Sequence, residues 1–324
     1  MKTNKSITLN QAIELLQKSQ SVIIASHESP DADGLCCTLA LGIALERMGK
    51  QVKCYNSDPV PQNLRFLPEW QKVSAQLKVD EPFDLAVIVD LGEPKRVGQV
   101  FEKLNQVKHW LCLDHHASGA YPLEYNYLDP SASSSGVLLY RIFQKMGVEI
   151  GSDLATLLYA SLSADTGSFK YSNVNPEAFQ VASDLVKRGV DVWRVAQELW
   201  ELNPLCKIKL LAQILPTLEI TENGRVGSLT ILQKDLQVAL ADAEFTEGFI
   251  NYPRSINTVE VAITFREIAP NHYKVSFRSK NYVDVARVAQ GFGGGGHMRA
   301  SGCKIQGELK EVKKKVSLAV AALL

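Results

Sequence analysis

The stretch SVIIASHESPDADGLCC, residues 21–37, runs an apolar segment into His27 and then places Asp31 and Asp33 just after it. A buried strand does not ordinarily empty into a histidine and two acids. Either something is bound there or the acids cap the next helix. The pattern recurs. VIVD ends at Asp90, HWLCLDHH ends at Asp114, His115 and His116, and SLSADTG carries Asp165. Each has a structural alternative: a turn residue at Asp90, satisfied turn histidines at His115 and His116, a cap at Asp165. Together they require four unrelated coincidences. Carboxylates packed this densely repel one another unless a cation is present. Mixed carboxylate and imidazole donors suit Mn²⁺, Co²⁺, Fe²⁺ or Zn²⁺ better than Ca²⁺ or Mg²⁺. So many donors exceed what one ion with open positions takes. Two divalent ions about 3.5–4 Å apart would clamp a phosphoryl group for hydrolysis.

Such a site needs elements that bring distant segments to one edge. Apolar runs at 21–26, 51–55, 85–90 and 109–114 alternate with helical patterns, which predicts a parallel sheet with helices on both faces. Ligands gather beyond the carboxyl ends of strands in such sheets, and that is where the acids and histidines fall. Segments 133–147 and 152–165 read as helices, as do 175–189 and 203–215, both opened by Asn-Pro. Farther on, 225–232, 258–268 and 272–279 alternate like antiparallel strands, and a helix then runs into the glycines of GFGGGGHMRASG. We expect an α/β catalytic domain over 1–190, a helical connector over 191–216 and a smaller α/β domain over 217–324.

Composition narrows the function. The 324 residues are 46% hydrophobic, enough for two cores, and 35 basic residues balance 35 acidic ones. Zero net charge argues against a long polyanion as the main partner. Six cysteines show no C-x-x-C pair and read as reduced core thiols. The polar, helix-patterned start is unlike a secretory signal, and no apolar run reaches membrane-spanning length. The reading is a soluble cytoplasmic protein.

SHESPDADG, VIVD, DHH and ADTG occur in an order that resembles the motifs of the DHH phosphoesterase family, and GFGGGGHMRASG (291–302) resembles the signature of its associated DHHA1 domain. The compact layout is similar to the bacterial nanoRNases, or oligoribonuclease and pAp phosphatases. That resemblance implies hydrolysis of very short RNA or DNA oligonucleotides to mononucleotides, and dephosphorylation of 3′-phosphoadenosine 5′-phosphate (pAp). It implies two divalent ions, Mn²⁺ first, with Co²⁺ or Mg²⁺ as alternatives. His27 and Asp31 would hold one ion, Asp33, His115 and Asp165 the other, and Asp90 would bridge them. His116 would stand at the phosphate, and Asp114 would orient the histidines. Cys36, Cys37 and Ser301 depart modestly from the family pattern. A linear or cyclic dinucleotide signalling phosphodiesterase is the alternative within the superfamily. A non-catalytic nucleotide sensor is the alternative outside it, and it predicts missing ligands.

The second domain would choose the substrate. Gly294, Gly295 and Gly296 let backbone N–H groups approach a phosphate, and His297 can donate to an anion. Arg254 and Arg278 suit bidentate phosphate contacts, with Arg299 and Lys280 as weaker candidates. A substrate spanning a cleft closed at one end would favour dinucleotides over long strands. No membrane partner is expected, and a homodimer stays open.

Overall fold

The computed structural model describes residues 4–92, 97–98, 101, 103–116 and 123–324. The chain divides into two compact units, Met1–Leu202 and Asn203–Leu324. The boundary falls inside the helical segment expected at 191–216.

The first unit is built on a seven-stranded sheet: β1 (Lys5–Ser6), β2 (Ser21–Ala25), β3 (Gln51–Tyr55), β4 (Val73–Ser74), β5 (Phe83–Val89), β6 (Val107–Asp114) and β7 (Tyr125–Leu128). Spatial order is β1-β7-β6-β5-β2-β3-β4, and every neighbouring pair is parallel. The central strands are buried on both faces, so they read as unbroken apolar runs, as in FDLAVIV. One face packs against helices α1 (Leu9–Lys18), α2 (Ala32–Arg47), α3 (Ser135–Met146), α4 (Ser152–Asp165) and α5 (Pro176–Lys187) through residues such as Leu39, Leu139 and Leu158. Ile23, Ala86 and Ile88 on the opposite face meet Val97, Phe101 and Leu104. Five of the six cysteines are buried and all are free thiols.

The strand order reverses between β2 and β5. From β2 the chain steps outward to β3 and β4 on one side and returns through β5, β6 and β7 on the other. This is the crevice that open α/β sheets use for ligands, and the sequence puts His27 at the end of β2 and Asp90 at the end of β5.

Helix α6 (Val192–Ala196) belongs to the first unit, and the second runs from α7 (Leu205–Ile214) into β8 (Glu219–Thr221), β9 (Val226–Ile231), α8 (Gln233–Ala239), α9 (Asn251–Ser255), β10 (Val261–Ala269), β11 (His272–Ser279), α10 (Val285–Gln290), β12 (Gly295–His297), β13 (Ala300–Gln306) and α11 (Leu309–Ala321). Its sheet order is β12-β13-β11-β10-β9-β8. The sequence pattern suggested antiparallel strands throughout, yet β9 and β10 are parallel. The reason is that α8 and α9 lie between them and form a crossover, which returns the chain in the same direction. Val285, Val288, Val312 and Val316 from α10 and α11 cover one face. Leu210, Ile214, Ala239 and Phe249 cover the β9 side of the other. The glycine run, read only as backbone open to a phosphate, has regular structure of its own. Part of it is strand β12, paired with β13 as Gly295–Gly302 and His297–Ala300. A Cβ at Gly294 would sit 2.2 Å from the Gly302 carbonyl oxygen, and one at Gly296 would sit 2.6 Å from that of Ala300. Glycine is required here for backbone to approach backbone.

Among the described residues, no helix is long and apolar enough to cross a membrane.

Candidate metal centre

His27 follows β2 and is buried. Its Nδ1 lies 2.7 Å from the Glu28 carbonyl oxygen, which can only accept, so Nδ1 carries the proton and Nε2 carries the lone pair. Nε2 stands 3.3 Å from Asp31 Oδ2 and 4.0 Å from Asp90 Oδ2. Asp31 serves two ends at once. Its Oδ1 caps α2 by accepting from Gly34 N at 3.1 Å, while Oδ2 faces His27. The capping alternative and the site alternative are therefore compatible. Asn56, beyond β3, donates to the His27 carbonyl oxygen at 3.0 Å and to Ser26 Oγ at 3.1 Å, which holds the β2 exit in place.

Asp33, in the first turn of α2, is buried beneath the site. Ser135 N donates to its Oδ2 at 2.8 Å, Gly136 N to its Oδ1 at 3.3 Å, and Ser161 Oγ also to Oδ1. The N-terminus of α3 thus points its unpaired N–H groups at a carboxylate, as a helix start favours. This contact requires α3 and α4 to be close. A Cβ at Gly136 would lie 2.0 Å from Ser161 Oγ.

Asp90 directly follows β5 with φ +52, a left-handed conformation that Asp tolerates better than most side chains. Ser135 Oγ donates to its Oδ1 at 3.1 Å. His115 Nδ1 faces the Ala132 carbonyl oxygen at 3.2 Å, so Nε2 is again the lone-pair nitrogen. It lies 3.7 Å from Asp33 Oδ2, 3.7 Å from Asp90 Oδ1 and 3.5 Å from Asp165 Oδ2. Asp165 closes α4 and accepts from Asn173 Nδ2 at 3.1 Å.

Asp114 is fully buried. Its Oδ2 accepts from Leu91 N and Gly92 N, both at 3.0 Å, and its Oδ1 from His116 N at 3.0 Å and His116 Nδ1 at 2.5 Å. That arrangement fixes His116 with Nδ1 protonated and turns its Nε2 over Gly92. It is the carboxylate–imidazole pairing by which a protein sets the tautomer of a working histidine.

Two sets of donor atoms converge: His27, Asp31 and Asp90, and Asp33, His115 and Asp165, each within 4.8 Å of one another. A third grouping joins Asp90 and Asp114 to His115 and His116. All eight first-unit residues singled out in the sequence therefore meet at one edge of the sheet. The electrostatics fit cations there. Burial, reinforced by Asp33, Asp31 and Asp114, pushes the Asp90 carboxyl well up. Burial also raises Asp33, against the opposing pull of His115 and the Ser161 hydroxyl. Asp165 rises to about 7 through burial, opposed by His115 and reinforced by Asp33 and Asp31. For His115, burial favours the neutral ring, but Asp165, Asp33 and Asp114 outweigh it and the net shift is upward. Anchored imidazoles facing buried, mutually repelling carboxylates form a donor set that could hold metal ions.

The remaining candidates belong to the second unit. Arg254 is in α9, and Arg278 is on β11, where Nη1 donates to the Phe277 carbonyl oxygen at 3.0 Å. Gly294 N donates to the Ala289 carbonyl oxygen at 2.9 Å. The expected role of the His297 side chain lies outside the described residues. Ser301 is buried and donates to the Val285 carbonyl oxygen at 2.6 Å, so its hydroxyl is satisfied.

Sequence reasoning missed the groups that hold the acids. Ser135 and Gly136 sit in SSSG, at the start of a segment read only as a helix, and Ser134 caps α3 by accepting from Val137 N. Ser161 had a usable signal: it lies one helical turn before Asp165, so both share a face of α4. Asn173 and Asn56 had none beyond being polar near strand or helix ends.

Known proteins resemble this chain in sequence and in fold. The DHH family, N-terminal domain, matches residues 21–162, and the DHHA1 domain matches residues 236–322. A Thermus thermophilus protein named bifunctional oligoribonuclease and PAP phosphatase NrnA is 30% identical over 92% of this chain and 89% of its own. A Streptococcus mutans protein named as a probable member of the same type is 31% identical over 87% of this chain and 88% of its own. The crystal structure of an exopolyphosphatase-related protein from Bacteroides fragilis shares the fold, with a TM-score of 0.88 at 23% identity over 97% of this chain and 95% of that one. With the two domain matches in this order, and relatives aligned along most of their length, the chain belongs to the DHH family of phosphoesterases.

Proposed function

We propose that this protein hydrolyses very short oligonucleotides to mononucleotides and dephosphorylates pAp, using two divalent ions. The observation that carries the reading is the pair of donor sets that share an edge of the sheet through Asp90. The names of the Thermus thermophilus and Streptococcus mutans relatives supply the substrate class. His27 and Asp31 would hold one ion, Asp33, His115 and Asp165 the other, with Asp90 between them. Mn²⁺ fits the mixed donors best, with Co²⁺ or Mg²⁺ as alternatives. Bound there, the ions would acidify a water and neutralise phosphoryl oxygens. The chain's own part is positional. Asp114 keeps His116 with its Nδ1 protonated, so that Nε2 can exchange a proton with the phosphoester oxygen. Ser135 and Ser161 hold Asp90 and Asp33 in their places.

Residues 1–190 would perform the chemistry and 217–324 hold the rest of the substrate, through Arg254, Arg278, Gly294, Gly295, Gly296 and His297, with 191–216 joining them. Six free cysteines, five of them buried, fit a reducing compartment, and we assign the enzyme to the cytoplasm. A Mn²⁺-dependent hydrolysis panel tests the whole reading: labelled RNAs from dinucleotide to long single strand, pAp, a cyclic dinucleotide and pyrophosphate. Dinucleotides and pAp should turn over fastest. Turnover of pyrophosphate alone, or of long strands as fast as dinucleotides, overturns it. For Arg278→Ala we expect a higher KM for dinucleotide at unaltered Mn²⁺ affinity. Equal loss of both argues against a substrate-holding role.

A further inference from the structure

His27 reaches the metal centre from a stretch that packing alone does not hold. His27 itself is buried, but Glu28 and Ser29, which follow it, are exposed. Ser29 nevertheless has φ +52. A non-glycine residue in that region is uncommon, and the ring of Pro30 narrows its choices further. Backbone kept against its own preference beside a site needs a partner that keeps it there.

That partner is Asp58, shortly after β3. The peptide unit between Glu28 and Ser29 is gripped at both ends. Its carbonyl oxygen accepts from His27 Nδ1 at 2.7 Å, and its N–H donates to Asp58 Oδ2 at 2.6 Å. The N–H of Asp58 in turn donates to Asn56 Oδ1 at 3.0 Å, and Asn56 also ties the His27 carbonyl oxygen. The exit of β3 therefore sets the backbone of His27 through Asn56 and its ring through Asp58. Imidazoles that bind metal commonly give their other N–H to a carboxylate or a carbonyl, which fixes the tautomer and makes the ligating nitrogen more basic. Here a carbonyl and a carboxylate stand in series. Hydrogen bonds in a chain polarise one another, so a carboxylate on a peptide N–H makes the carbonyl of that peptide a stronger acceptor. The ring of His115 has a support of its own, the Ala132 carbonyl oxygen.

We propose that Asp58 is a positioning residue for the metal centre, acting through the Glu28–Ser29 peptide to keep His27 protonated at Nδ1 with Nε2 turned to Asp31 and Asp90. It governs the ion of the His27, Asp31 and Asp90 set and leaves that of the Asp33, His115 and Asp165 set alone. The inference rests on the two-ion reading above and adds to it a residue outside the donor sets.

The test compares full-length Asp58→Ala, which removes the acceptor, with Asp58→Asn, which keeps an oxygen for the Ser29 N–H and loses the charge. Calorimetric titration with Mn²⁺ should show one of two sites weakened about 10–100-fold in Asp58→Ala and about threefold in Asp58→Asn, with the other site unchanged in both. A residue that only braces the loop would lower the melting temperature and leave Mn²⁺ affinity alone; that result overturns the proposal. The second readout needs no metal. Long-range proton–nitrogen correlation spectra of the imidazoles are recorded on chelated protein at about pH 8, above the ordinary imidazole value, with His27 assigned by its absence in His27→Gln. They should show Nδ1–H in the wild type and in Asp58→Asn, and a mixture of tautomers in Asp58→Ala. A wild-type ring protonated at Nε2, or an Asp58→Ala ring like the wild type, overturns the proposal. So does equal weakening of both sites, or an Asp58→Asn as weak as Asp58→Ala, since the charge would then act on the ion without the peptide. If Asp58→Ala does not fold, the wild-type ring and the Asp58→Asn titration decide: Nδ1–H with a loss confined to one site supports the proposal, and no loss overturns it. If the wild type takes up no pair of ions, the two-ion reading fails, and the spectra still decide whether Asp58 sets the ring.

Discussion

At the scale of single residues, the site stores electrostatic tension that a cation would relieve. Asp90, Asp33 and Asp165 all hold their protons above the ordinary carboxylate range. In the unfolded chain they deprotonate near pH 4 (roughly). Between that value and their folded values the native state binds more protons than the unfolded one, so stability falls as pH rises. His115 works in the same direction, because its raised pKa gives stabilisation that is lost as pH climbs through the folded value. Chelated protein should therefore melt higher at about pH 5 than at about pH 8, and saturating Mn²⁺ should reverse the order, since metal displaces protons. Thermal melts with and without chelator check this. Asp90→Asn keeps a side chain that tolerates the left-handed backbone. It should stabilise the metal-free protein by about 0.5–2 kcal/mol while abolishing Mn²⁺-dependent turnover. A destabilised metal-free variant would mean that Asp90 is held ionised by something other than an added ion. His116→Gln should lower kcat by about 10²–10⁴-fold with Mn²⁺ affinity kept within a few-fold; calorimetric loss of metal would instead make His116 a ligand.

At the scale of elements, α3 and α4 determine whether Asp33 can be presented at all. Gly136→Ala would place a methyl carbon 2.0 Å from Ser161 Oγ. Forcing these helices apart should cost about 1–3 kcal/mol and weaken metal binding, as denaturant titration and calorimetry would show. Metal affinity unaffected by this change would separate the helix contact from the site. This is also where legibility in the sequence runs out. The central strands were readable because burial on both faces leaves continuous apolar runs, and β3 and α4 fall at their expected bounds. The short edge strands β1 and β4, two residues each, carry too little pattern to see. The charged and imidazole residues announced themselves at strand ends. Their supports did not, because serine and asparagine are ordinary wherever a chain turns, and only the packed helices show which of them face an acid. The parallel β9–β10 pair was hidden for a related reason: alternation reports which face is buried and carries no information on direction.

At the scale of the whole molecule, the chain holds separate cores in its two units, one around Leu39, Leu139 and Leu158 and another around Val285, Val312 and Val316. Ions held by the first unit stabilise only the part that binds them. Calorimetry should resolve two transitions, of which Mn²⁺ raises one. A single transition that moves as a whole would mean that the units unfold together. The topology also bears on biosynthesis. The donors of the site run from His27 to Asp165, and they meet only across the reversal of strand order between β2 and β5. While a nascent chain is still emerging from the ribosome, the triad that includes Asp165 does not exist until α4 has left the exit tunnel and docked. An ion held by that triad could therefore take no part in guiding the early sheet. It would load afterwards, onto an architecture that must already have tolerated its own crowded acids.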